Sequence, residues 1–182
     1  MGTCRPLTWS RGDLVADVVA RYEAFPDVEY GVYVLTDVLA PENPLARSLV
    51  APGEDRVVSG APYGVVLHSA GNDFRPSVEL VVWSDQPTAD PAADHGWERE
   101  ACTQFEAISG TVRLASVNGV PGGDDVALPA PGPYAVRVRC RGRAQADARR
   151  GREGFDTGVE EWSLALWPVH SPSASRDVSA AG

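Results

Sequence analysis

Hydrophobic and polar positions alternate with a period of two over much of this chain, in short runs separated by stretches rich in Pro, Gly, Asp and Ala. The most regular run is Tyr134 to Arg141, in which Tyr134, Val136, Val138 and Cys140 share one face and Arg137, Arg139 and Arg141 share the other. That period predicts a β-strand with one buried side and one cationic side. Val159 to Trp167 is the expected partner strand, with Trp162, Leu164 and Leu166 inward and Pro168 ending it. Ser77 to Trp83 reads as a buried strand, Val78, Leu80 and Val82 on one face and Glu79, Val81 and Trp83 on the other.

Weaker runs predict further strands at Glu29 to Thr36, Arg56 to Ser59, Tyr63 to Ser69, Cys102 to Ile108 and Thr111 to Val117. Gly60-Ala61-Pro62 and Ser109-Gly110 are the expected tight turns between neighbours. Three prolines, at positions 41, 44 and 52, make the stretch from Ala40 to Asp55 a loop, and Gly142 to Gly158 reads as a long polar loop. Only the N-terminal region breaks the β pattern. Leu14, Val15, Val18, Val19, Tyr22 and Phe25 recur every three or four residues behind a Ser10 cap, which favours a helix over 11–25 above a strand from Asp13 to Arg21.

The chain is therefore expected to be all-β, an antiparallel β-sandwich of jelly-roll-like form with one N-terminal helix. Its predicted organisation is an N-terminal extension at 1–27, a sandwich domain at 28–169 and a disordered tail at 170–182.

Composition sharpens this picture mainly by exclusion. All 16 basic residues of the 182 are arginine. With no lysine, every chemistry that needs a side-chain amine is absent, from the P-loop lysine to Schiff-base catalysis. The net charge of -9 argues against wholesale binding to nucleic acid or an anionic membrane. Cys4, Cys102 and Cys140 are widely spaced and odd in number, so neither a disulfide framework nor a zinc knuckle is expected and a cytoplasmic location is, with no metal site and no cofactor.

Charge is unevenly placed. Residues 133–153 hold seven arginines (Arg137, Arg139, Arg141, Arg143, Arg149, Arg150 and Arg152) against Asp147 and Glu153, a local +5 on a chain of -9. Such a basic hairpin suits an anion or an acidic partner, unless Glu160 and Glu161 on the neighbouring strand pair with it. Asp85, Asp90, Asp94, Glu98 and Glu100 crowd one loop region together with Trp97, the composition of a surface that covers a basic partner. The same acids would also serve as a plain solvated loop.

Catalytic constellations are weak. His68, His95 and His170 lack metal-ligand spacing, Cys102 reads as packing, and Glu160 and Glu161 point to opposite faces of one strand.

The C-terminal half carries a strand after Ser-Gly (Ser109-Gly110-Thr111-Val112-Arg113-Leu114), then a Leu-Pro approach to Gly132-Pro133-Tyr134, which opens the alternating strand that contains Cys140. A loop and a final strand from Trp162 to Trp167-Pro168 follow. In this layout the chain resembles the small β-sandwich family of ComJ-type proteins, inhibitors of the competence DNA-entry nuclease. The resemblance implies a sandwich in which Tyr134 caps a corner with its hydroxyl. It matches scaffold positions only and carries over no inhibitory residue.

The leading expectation is a non-enzymatic protein-protein interaction module, an acidic inhibitor or immunity-type protein that covers a basic protein such as a nuclease. Direct contact with nucleic acid or membrane is not expected. The alternative is a ligand-binding or enzymatic jelly roll that takes a small anion or sugar, with Arg137, Arg139 and Trp162 or Trp83 lining an open space between the sheets.

Overall fold

The computed structural model describes residues 16–46, 56–88, 96–149 and 156–170. Two five-stranded sheets pack face to face. The first runs in the order β1 (Val18–Ala24), β5 (Arg75–Trp83), β10 (Thr157–Pro168), β9 (Gly132–Arg141), β6 (Arg99–Ala107). The second runs β3 (Val58–Ala61), β4 (Gly64–His68), β2 (Val32–Asp37), β7 (Thr111–Ala115), β8 (Val126–Ala127). The sandwich expectation holds at this level. Neighbouring strands are antiparallel except β5 and β10, which run parallel. β10 opposes β9 and β5 opposes β1, and β10 and β5 run the same way where they meet.

The alternation read from the sequence decides what is buried. Val136, Val138 and Cys140 of β9 and Leu164 and Leu166 of β10 are fully buried between the sheets. Trp162 meets Tyr33 of the opposite sheet edge-on, ring centroids 5.5 Å apart. On the outer face of the first sheet, Val81, Trp83, Ala135, Ala165 and Trp167 form a second apolar cluster, so β5 is buried on both sides as expected. Tyr134 donates its hydroxyl proton to the Ala130 carbonyl at 2.9 Å, the corner cap that the resemblance implies.

Several expectations require correction. The described part of the expected helix over 11–25 is strand β1. Ala20, Tyr22 and Ala24 face the core while Val18, Val19 and Phe25 are exposed, because β1 gains its backbone partners from β5, far along the chain. That pairing outweighs the three-and-four spacing of its apolar residues.

Ser109-Gly110 is not a hairpin within one sheet: it carries the chain from β6 in the first sheet to β7 in the second. Buried Asp37 fixes this crossing, one carboxylate oxygen accepting from the Ser109 amide and hydroxyl at 2.8 Å each, the other from the Leu39 amide at 2.8 Å. The β3–β4 turn falls at Pro62-Tyr63, one step beyond the expected place.

The expected loop after β9 contains a short helix, α1 (Arg143–Ala148), entered through Gly142 at φ 84°. A Cβ at position 142 would lie 2.3 Å from the Val159 carbonyl oxygen, so only glycine fits there. Cys102 is disulfide-bonded and Cys140 is a free, buried thiol. A disulfide was not expected from the spacing, and the cysteine argument for a reducing compartment falls with the bonded Cys102. The expected disordered tail lies, apart from His170, outside the described residues.

Candidate functional site

Strand register brings one end of each sheet to the same end of the sandwich. There the Ala24 end of β1, the start of β5 and β10 and the end of β9 adjoin the start of β2 and the end of β4. Helix α1 lies across this end. It is held by Arg143, which donates to the His68 carbonyl at 2.7 Å, and by Ala146, which is buried and close to Gly71.

The two charged patches read from the sequence meet here. Glu100 of β6 pairs with Arg139 of β9 at 2.6 Å, and Glu161 of β10 pairs with Arg141 at 2.5 Å. The Trp97 ring lies under the Arg141 guanidinium, 5.5 Å from its centroid. Glu98 receives the Gly142 and Arg143 amides at 3.0 and 3.2 Å and so covers the first turn of α1. Arg149 at the end of α1 pairs with Asp156. Arg137, Arg139 and Arg141 occupy the outer face of the first sheet as their alternation required, and Arg139 is 9% exposed.

Between these residues runs an open polar groove of about 500 Å³, lined by Glu98, Arg141, Gln145, Arg149, Thr157 and Glu161 among others. Asp85 is exposed and accepts from the Gln86 amide. Asp90, Asp94, Arg150 and Arg152 lie outside the described residues, as does His95. The lining expected for an anion or sugar cavity does not converge: Arg137 and Arg139 stand on the outer face, Trp162 lies in the core between the sheets, and Trp83 belongs to the outer apolar cluster.

Sequence reasoning missed a polar cluster buried beneath this end. Glu160 is fully buried, one carboxylate oxygen accepting from the Ala70 amide and the other from the Trp162 indole, each at 2.9 Å. Burial raises its pKa, against the opposing pull of those hydrogen bonds, of the Ser69 hydroxyl and of Arg143. The Tyr33 phenol, buried with no hydrogen-bond partner, is pushed well up by burial and then by Glu160. Burial likewise pushes the Cys140 thiol up to about 12.

On the other face of the second sheet His68 is 2.8 Å from the Ser59 hydroxyl, and its pKa falls to about 4 through burial and the nearby Arg56 and Arg143. A signal for Glu160 was present: it has the same parity as Trp162, Leu164 and Leu166, which places it inward.

Among the described residues no three His, Cys, Asp or Glu side chains gather as metal ligands, and no helix is long and apolar enough to cross a membrane.

Two sheets packed over one core, with charged connections collected at one end, define a β-sandwich scaffold. Two solved structures share it. One is ComJ, inhibitor of the DNA-degrading activity of NucA, from Bacillus subtilis, at TM-score 0.51 and 9% identity over 85% of this chain and 99% of ComJ. The other is crocagin biosynthetic gene J, at TM-score 0.51 and 14% identity over 86% of this chain and all of that one. No family model and no curated protein matches the sequence. At these identities the likeness establishes the fold, and it agrees with the ComJ-type resemblance read from the C-terminal half.

Proposed function

We propose that this chain is a non-enzymatic interaction module, an acidic inhibitor of immunity type that covers a basic partner protein such as a nuclease. The observation that carries this reading is the fold match, which spans 99% of ComJ, an inhibitor of the DNA-degrading activity of NucA. A net charge of -9 supplies the complementary field. Opposite charge raises the rate of encounter and makes it salt-sensitive.

The arginine row has a structural part in this account. Arg139 and Arg141 hold Glu100 and Glu161 against the sheet, so the carboxylates are ordered before a partner arrives and less entropy is lost on binding. The test is capture from source-cell lysate with the tagged chain, followed by a salt titration. A basic protein retained at low salt and released as salt rises is the expected result, and capture of no basic protein at low salt would overturn the reading.

The groove beside α1 favours a second reading, a small anionic or sugar ligand held between Arg141, Gln145 and Thr157. Calorimetric titration with inorganic phosphate and with simple saccharides separates the two, since the inhibitor reading expects no heat from either.

A further inference from the structure

The same end of the sandwich carries a feature that the charged groove does not explain. Glu29 and Val32 exchange backbone hydrogen bonds at 3.2 and 3.1 Å across a two-residue turn of Tyr30 and Gly31. Both turn residues have positive φ, 55° for Tyr30 and 74° for Gly31. A turn with two positive φ values favours Asn or Gly at its first position, and a bulky side chain there is strained. Among the described residues Asp73 alone shares this condition outside glycine, and Asp tolerates it. Tyr30 gains nothing within the fold in return, since its side chain is 87% exposed.

The tip is nonetheless rigid. Asn72 accepts from the Gly31 amide at 3.0 Å, the Ser69 amide donates to the Gly31 carbonyl at 2.9 Å, and Asn118 donates to Glu29 at 2.8 Å. Two separate segments, the connection 69–72 and the turn at Asn118, therefore brace an exposed aromatic residue. Exposed Phe25 and Val120 stand on connections tied to the same place, the Phe25 amide donating to the Gly122 carbonyl at 2.7 Å. The charged residues of the connections around the tip are Asp27, Glu29 and Asp73; Asp27 pairs with Arg75, the first residue of β5, at 2.6 Å, which leaves the rim with a net negative charge. An aromatic anchor with an acidic rim fits a basic protein surface that has an apolar socket.

We infer that the Tyr30-Gly31 tip is a preformed anchor that inserts into an apolar socket on a basic partner protein. This deepens the inhibitor reading and rests on it. Strain kept in a braced, exposed aromatic is the pattern of a residue retained for binding at the expense of stability.

The full chain is produced in source cells with the photo-crosslinking residue p-benzoylphenylalanine at position 30, at Gln145 on α1, or at exposed Leu39. The expected result is one basic protein trapped from position 30 and not from position 39. In parallel, Tyr30→Asn in the full chain is expected to raise Tm by about 2–5 °C, because the turn prefers Asn. The same substitution should weaken capture of the trapped protein by about 30-fold, as loss of a central aromatic anchor does. Opposite movement of stability and binding is what a merely structural tyrosine would not produce.

Trapping from 145 but not from 30 would overturn the anchor and leave the inhibitor reading standing, and trapping from neither would overturn both. Trapping of a second copy of the chain, of an acidic protein, or of the same protein equally from position 39 would also overturn the anchor. So would unchanged capture by Tyr30→Asn.

Discussion

Glu160→Ala tests the part played by the carboxylate buried beneath the charged end. Glu160 receives the Ala70 amide on one oxygen and the Trp162 indole on the other. Both donors lose their partner on truncation, at about 1–3 kcal/mol each, so a loss of roughly 2–6 kcal/mol is expected. At about 2–4 °C per kcal/mol for a chain of this size, the melting point should fall by roughly 4–24 °C. Glu160→Gln is the finer probe, since an amide has one acceptor oxygen for two N–H donors. It should cost about 1–3 kcal/mol by leaving one of them unpaired.

The pH dependence carries its own sign. The folded pKa of Glu160 is raised by burial, so the native state holds its proton to higher pH than the unfolded chain does. Its contribution to stability therefore declines as pH rises from about 4.5 through the raised folded value, and that component should vanish in Glu160→Gln. Urea unfolding followed by Trp fluorescence between about pH 4 and 8 reads both effects. A Glu160→Ala variant within about 0.5 kcal/mol of the parent, or an unchanged pH slope in Glu160→Gln, would refute the reasoning.

Other consequences are equally direct. Cys140, buried and with its pKa pushed up to about 12, should resist thiol reagents in the folded protein at pH 8 and react fully once unfolded; rapid native labelling would contradict its placement. His68 should titrate near 4 by NMR, with its pKa lowered in the fold from 6.5, so that its share of stability is lost as pH falls from about 6.5 towards 4. Asp37→Ala removes the acceptor of the Leu39 and Ser109 amides at the sheet crossing, while the Ser109 hydroxyl keeps the Thr111 carbonyl; it should cost about 2–6 kcal/mol, with faster hydrogen exchange at Leu39 and Ser109.

Much of the scaffold was legible because its signal is local. The period-two parity of β9 and β10 told which side chains enter the core, and pairing those two runs set Glu160 and Glu161 across from Arg139 or Arg141; the structure puts Glu161 opposite Arg141 and Glu160 in the core. What could not be read depends on contacts distant in sequence. The valines of β1 satisfy a helical spacing as well as a strand, and only β5, more than 50 residues away, decides between them. Ser109-Gly110 has the same local chemistry whether the chain stays in one sheet or crosses to the other.

The charged end follows the same rule. Composition identified an acidic loop and a basic hairpin as separate patches, but Arg139 meets Glu100 across 39 residues of sequence, and a bipolar surface becomes an interlocked row of ion pairs. The Tyr30 turn was within reach of a local reading, since Tyr-Gly stands where Asn-Gly is the ordinary choice.

The central claim is that this sandwich covers a basic, nuclease-like protein through its loop-bearing end. The most direct measurement is a DNA-degradation assay on the protein that co-purifies with the tagged chain, run with and without added chain at about 50 and 500 mM salt. The account predicts degradation that stoichiometric addition suppresses at low salt and suppresses less at high salt. A captured protein that degrades DNA equally well with the chain present, or that has no such activity, would contradict it.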